Sequence, residues 1–319
     1  MTITEKIESH QGRTFSFEVL PPLKGKGIDS LFQRIEKLID YDPAYINITT
    51  HRSEVVFKST ADGLYRKVSE RSRPGTVAVA AAIQNRYRIE AVPHLICSGY
   101  SRLETEYALI DLNFLGITNL LLLRGDKAKH DSRFVPNVDG HAHASELQSQ
   151  VNAFNEGLFI DGTPMDAPLS VPFSYGVAAY PEKHEESPNM ELDLMWLKAK
   201  VDAGASYAVT QMFFDNNKYF QFVEMARKAG INIPIIPGIK PITSLAQLTV
   251  LPKVFKVDFP TALASALMAC KTDADARQVG VEWCIAQARE LYDHGVKSIH
   301  FYSHNATDSV EKVIANLFK

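Results

Sequence analysis

Lys200-Val201-Asp202-Ala203-Gly204-Ala205-Ser206-Tyr207-Ala208-Val209-Thr210-Gln211-Met212-Phe213-Phe214 is the stretch that decides the fold. A helical segment runs into Gly204, small residues follow, and an apolar strand begins at Tyr207. Glycine at that place reads as a helix C′ cap, where the backbone turns left-handed. The pattern recurs at Leu115-Gly116-Ile117 before a strand at 119–123, at Ala229-Gly230-Ile231 before 234–239, and at His294-Gly295-Val296 before 298–302. Helix-to-strand connections this short are the rhythm of repeated βα units on a parallel sheet.

Working outward, strands are expected at 14–20, 45–50, 89–97, 120–124, 174–180, 207–214, 235–239 and 298–303. Helices are expected at 28–40, 53–71, 102–115, 143–157, 190–203, 217–229 and 306–317, with several more within 245–291. Segment 75–88 reads equally as a strand or a short helix. Eight βα units predict an α/β fold, a (β/α)8 TIM barrel formed as a single domain over residues 1–319. No linker rich in Pro, Gly or Ser splits the chain.

Composition narrows the function classes. The 319 residues are 45% hydrophobic and 22% charged, with a formal charge of -3. No basic block marks a nucleic-acid or anionic-membrane partner. The N-terminus lacks the apolar core of a signal peptide, and the longest strongly apolar run, 262–270, is too short to span a bilayer. Cys97, Cys270 and Cys284 are odd in number and widely spaced, which fits a reducing cytoplasm.

Barrel enzymes draw their reactive groups from the C-terminal ends of strands. Such groups recur here: Glu18 at the end of the first strand, Thr49-Thr50-His51 after the second, His94 in the third, Arg124-Gly125-Asp126 after the fourth, Tyr180-Pro181-Glu182 after the fifth, and Thr210-Gln211 in the sixth. Burying the Glu18 carboxylate is costly unless it is paired or protonated, which suggests proton transfer. The other reading is a surface carboxylate on a half-exposed edge strand. His94 alone reads more readily as a satisfied core histidine. Asp193, Trp196 and Lys200 have helical spacing that puts them on one face, able to grip a polar cofactor or simply to meet solvent. His141 and His143 have metal-ligand spacing without an obvious third ligand, so no metal is expected.

Taken in order, Phe15-Ser16-Phe17-Glu18 before Pro21-Pro22, Pro93-His94-Leu95, Leu123-Arg124-Gly125-Asp126, Val177-Ala178-Ala179-Tyr180-Pro181-Glu182, Lys200-Val201-Asp202-Ala203-Gly204-Ala205, Thr210-Gln211-Met212-Phe213-Phe214-Asp215 and Ile235-Ile236-Pro237-Gly238-Ile239 resemble methylenetetrahydrofolate reductases of the short bacterial type. The resemblance implies a barrel with non-covalent FAD. It implies ping-pong hydride transfer from NADH or NADPH, through the flavin, to 5,10-methylenetetrahydrofolate, giving the 5-methyl product used in methionine synthesis. By position, Glu18 matches the general acid that assists ring opening of the folate, and Asp126 the aspartate near flavin and pterin. Gln211 matches a folate-binding glutamine, and Leu245 the place of an aromatic over nicotinamide and folate. Thr49, His94, Arg124, Gly125, Asp126, His143, Ala144, Ala178, Tyr180, His184, Asp193, Trp196 and Lys200 match FAD-contact positions.

Departures are visible. His143-Ala144 stands where relatives often have Tyr-Ala, Trp196 where an asparagine is common, His184-Glu185-Glu186 for His-Pro-Glu, and Ala306 for an arginine near the folate tail. A cytoplasmic homo-oligomer is implied. The rival reading is a cofactor-free barrel lyase or pterin-binding transferase that keeps Glu18 and Asp126 as acid and base. A non-catalytic folate-binding protein is a third.

Overall fold

The four glycines read as helix caps are left-handed, with φ of 68° at Gly116, 112° at Gly204, 77° at Gly230 and 86° at Gly295. A computed structural model describes residues 1–128, 131–304 and 306–318. Its strands, in chain order, are β1 (Thr14–Val19), β2 (Tyr45–Ile48), β3 (Glu54–Ser59), β4 (Tyr65–Glu70), β5 (Glu90–Ile96), β6 (Asn119–Leu123), β7 (Ser174–Ala179), β8 (Tyr207–Thr210), β9 (Ile235–Ile236), β10 (Gly238–Ile239) and β11 (Ser298–Phe301). Parallel strands alternate with helices along the chain, which is the α/β pattern of the (β/α)8-barrel class. Two compact units are distinguished: Met1–Val19, Gln33–Asn47 and Ser174–Lys319 form the first; Leu20–Phe32 and Ile48–Phe173 form the second.

In the first unit, β1 is buried at every position. It lies parallel to β11, with Thr14 opposite Ser298, Ser16 opposite His300 and Phe17 opposite Phe301. Burial on both faces is what a parallel strand requires, and it removes the edge-strand reading of Glu18. One face is aromatic: Phe15 meets Phe301 edge-on, with centroids 6.2 Å apart. The other face, Thr14, Ser16 and Glu18, is polar and still buried. Strand β11 also pairs with β10, and β8 with both β7 and β9, all parallel. Helices Gln247–Phe255, Thr261–Ala269 and Asp273–Asp293 fill segment 245–291. They close over an apolar cluster that includes Met212, Phe214, Ile242, Leu251, Leu263 and Leu267.

The expected strand 207–214 ends at Thr210. Beyond it, Gln211 Oε1 accepts from the Met212 N–H at 2.9 Å, so a side chain takes over a backbone donor and the ladder stops.

In the second unit, β5 and β6 are parallel, with His94 opposite Leu121. Segment 75–88 is a helix, Thr76–Tyr87, ended by left-handed Arg88. The helix expected at 53–71 is absent. Strands β3 and β4 form an antiparallel hairpin there, with Glu54 opposite Glu70 and Ser59 opposite Tyr65. Val55, Val56 and Phe57 favour extended backbone. Asp62-Gly63 supplies the reversal, with Gly63 at φ 80° and the Thr60 N–H bonded to the Leu64 carbonyl at 2.8 Å. Among the described residues no helix is long and apolar enough to cross a membrane.

Candidate active site

Glu18, next to last in β1, is 3% exposed. Its Oε1 lies 2.8 Å from His304 Nε2, and its carbonyl accepts from the Ser303 hydroxyl. Two further titratable groups face it. Burial lowers the pKa of Lys240, an effect the Glu18 charge opposes. Burial first, then the Glu18 charge, raises that of Tyr302 well above the usual phenol.

Tyr302 is fixed in turn, donating to the Thr210 carbonyl at 2.6 Å. The Thr210 hydroxyl accepts from the Gly238 N–H at 2.9 Å. A Cβ on Gly238 would collide with the Thr210 carbonyl and the Tyr302 ring, so only glycine lets β10 approach this closely. Below Glu18 on the same strand face, Ser16 Oγ and His300 Nδ1 are 2.9 Å apart, and the His300 ring meets Tyr302 edge-on at 5.0 Å. The whole polar column follows from the β1–β11 register.

A second group in the same unit surrounds Lys200 on the helix Met190–Asp202. Lys200 Nζ donates to the Ala178 carbonyl at 3.0 Å. Burial pushes its pKa down to about 8, and Asp193 works against that shift. Asp193 accepts from the His184 N–H at 3.1 Å and from Ser187 Oγ at 2.7 Å, so it knits the loop after β7. Tyr180 and His184 meet ring to ring at 4.7 Å. Lys200 thus reaches the Ala178 carbonyl while Asp193 holds the 184–187 loop. Trp196, on the same helix, is 59% exposed.

The Gln211 N–H donates to the Ala179 carbonyl at 2.8 Å. Leu245 packs on the apolar cluster, and its N–H donates to Asp273 Oδ1 at 2.8 Å. Glu182, also past β7, is pushed up to about 7 by burial, opposed by its hydrogen bond from the Asp258 N–H.

In the second unit the Arg124-Gly125-Asp126 turn is clamped by Ser98. Its N–H donates to the Arg124 carbonyl at 3.0 Å and its Oγ to the Asp126 carbonyl at 2.7 Å. Gly125 has φ 79°, and a Cβ there would stand 3.0 Å from Ser98 Cβ. The Arg124 guanidinium covers the Phe134 ring at 4.8 Å, and the Asp126 side chain is exposed. Thr49 and His94 are buried; the Thr50 hydroxyl holds the His94 carbonyl. His143 caps the helix Ala144–Asn155, with Ala144 its first residue. His141 Nε2 lies 2.6 Å from Gln150 Oε1. A cavity of about 540 Å³ in this unit is lined by Thr50, Thr76, His94, Tyr100 and Glu104 among others; of the expected site residues it touches only His94.

His304, Tyr302, Lys240 and Ser303 were not among the expected site residues. The signal was present: Ser298, His300 and Tyr302 alternate along the last strand, as do Thr14, Ser16 and Glu18 along the first. Adjacency of those two strands would have joined the two sets.

A family model described as methylenetetrahydrofolate reductase matches residues 2–318. An Arabidopsis thaliana protein named methylenetetrahydrofolate reductase (NADH) 1 is 31% identical over 99% of this chain and 51% of its own length. The chain therefore spans about half of that relative. A Salmonella typhimurium 5,10-methylenetetrahydrofolate reductase is 29% identical over 96% of this chain and 91% of its own length, matching the short type. Among solved structures, an uncharacterized Clostridium thermocellum protein that binds two copies of 5-methyl-5,6,7,8-tetrahydrofolic acid aligns with a TM-score of 0.57 and 14% identity. It covers 99% of this chain and 98% of its own. That likeness shows the fold.

Proposed function

Since the chain belongs to the methylenetetrahydrofolate reductase family, we propose that it reduces 5,10-methylenetetrahydrofolate to 5-methyltetrahydrofolate, with NADH or NADPH as donor and FAD as a non-covalent cofactor in a ping-pong cycle. The observation that carries the reading is the buried Glu18 carboxyl at a strand end, faced by His304, Tyr302 and Lys240. A carboxyl so enclosed is suited to hold a proton and give it to the leaving nitrogen as the folate ring opens.

The residues present fit FAD by the chemistry of the donors. In the first unit the Lys200 ammonium, and in the second the Arg124 guanidinium, are each of a kind that suits phosphate oxygens. Ala178 in the first unit, and Ala144 and Gly125 in the second, carry little or no side chain, which suits close approach by a flat ring. Thr49, His94, Tyr180 and His184 would add hydrogen-bonding and ring contacts, with His143 and Trp196 the changed positions. When bound, FAD supplies the two-electron relay between nucleotide and folate. Asp126 would disfavour negative charge near it and orient the pterin, Gln211 would hydrogen-bond the folate, and Leu245 would give it an apolar surface.

The purified protein is expected to be yellow, to bleach under NADH or NADPH, and to recover colour on adding methylenetetrahydrofolate. Glu18→Gln should leave the bleaching step and slow the recovery step about 10²–10⁴-fold, the usual worth of a general acid. A colourless protein refutes the cofactor, and equal slowing of both steps refutes Glu18 as the acid.

A further inference from the structure

We propose that His304 is the positioning residue that returns a proton from solvent to Glu18 after each turnover, an assignment that rests on Glu18 being the acid. Once Glu18 has given its proton to the folate nitrogen, it is a buried carboxylate that must be reloaded. Its side chain is only 4% exposed, whereas that of His304, 2.8 Å away, is 38% exposed. The imidazole therefore spans the distance between the carboxyl and water.

The other groups facing Glu18 are unsuited to the task. Tyr302 has a pKa raised well above the usual phenol, and its hydroxyl proton is committed to the Thr210 carbonyl. Lys240 is itself buried, at 8% exposure, so it gains no proton from solvent without another carrier. Ser303 donates to the Glu18 carbonyl, not to its carboxyl. His300, further down the column, is engaged with Ser16. Imidazole is also the side chain that gains and loses a proton between about pH 5 and 8.

The backbone supports a dedicated role. His304 has φ 31°, a left-handed value that side-chain-bearing residues adopt at a cost. Strain of this kind persists where surrounding structure imposes it, commonly at functional sites. His304 lies three residues beyond Phe301, the end of β11, whose pairing with β1 stops at Phe17, the neighbour of Glu18.

The proton balance is simple. The Glu18 O–H bond breaks as the leaving nitrogen takes the proton together with the electron pair of its breaking C–N bond. The resulting carboxylate takes the Nε2 proton of the His304 imidazolium. The neutral imidazole recovers a proton from water. One proton per turnover is consumed, as reduction of the folate by NADH or NADPH requires.

Stopped-flow measurement of both half-reactions across pH 5–9, in wild type, His304→Gln, His304→Leu and Glu18→Gln, tests the assignment. Glutamine keeps a hydrogen-bond donor but neither gains nor gives up a proton between pH 5 and 9. In both His304 variants the ratio of folate to nucleotide half-reaction rates is expected to fall about tenfold, within the range general acid–base catalysis supplies. The alkaline limb of the folate step should move to lower pH, because the coupled pair no longer shares its proton. A wild-type ratio and limb in His304→Gln, with Glu18→Gln impaired, overturns the relay. An unimpaired Glu18→Gln instead overturns the acid assignment beneath it.

Discussion

Replacing Lys200 by methionine should abolish a proton uptake that accompanies FAD binding. In the FAD-free protein, burial lowers the Lys200 pKa from 10.5 to about 8. At pH 9 roughly nine-tenths of a group with that pKa is neutral, by the ordinary titration relation. A diphosphate beside the amine favours the charged form, so binding draws a proton from solvent. Calorimetric titration of FAD at pH 9 in buffers of different ionisation enthalpy should report close to one proton taken up per FAD. Lys200→Met should report none. At pH 7 the lysine is already charged, and losing its charge-assisted contact should weaken FAD binding by about 1.5–3 kcal/mol, or roughly 10- to 150-fold. Toward pH 10 the two affinities should converge.

The same shift sets the stability of the FAD-free protein. Below pH 8 the lysine is protonated whether folded or not. Between about 8 and 10.5 the unfolded chain still holds the proton while the native chain has released it. Wild-type stability should therefore rise through that window relative to Lys200→Met, by at most about 3 to 4 kcal/mol at 1.36 kcal/mol per pH unit. Equal proton uptake and equal affinity in the two proteins would refute both the cofactor contact and the buried-charge argument.

Other outcomes follow from the same contacts. Asp126→Asn should raise the flavin reduction potential, since a carboxylate near the cofactor repels the charge gained on reduction; potentiometric titration giving an equal or lower potential would exclude that role. Gly238→Ala should destabilise by about 1–3 kcal/mol, as overpacking does, because the Thr210 carbonyl and the Tyr302 ring occupy the space; urea unfolding is the measurement. Glu182→Gln should flatten the pH dependence of stability between 4.5 and about 7. Burial holds the native carboxyl protonated there, so its contribution is full below pH 4.5 and lost as pH rises through 7.

How much was legible depended on the range of the signal. Helix ends at Gly116, Gly204, Gly230 and Gly295 are local events, written where the backbone must turn left-handed. The buried strand β1 was legible as a strand, but not as a two-face-buried one, because Phe15 and Phe17 alternate with Ser16 and Glu18 in a way that also suits a half-exposed edge. The hairpin β3–β4 stands where a helix over 53–71 was expected. Both of its strands are largely exposed, so no burial periodicity separates the two readings. Only Val55-Val56-Phe57 and Asp62-Gly63 carried the correct one.

The site divides in the same way. Lys200 and Asp193 are seven residues apart on one helix, so their gathering is a matter of helical pitch. Glu18 and His304 are far apart in sequence, and nothing in either segment alone names the other. What joins them is register: Ser16 opposite His300 and Phe17 opposite Phe301 carry the chain forward until His304 meets the carboxyl one strand away. A residue placed by strand pairing becomes visible only when the pairing is known. The cost of burying Glu18 was therefore readable within its own strand, while its partner was not.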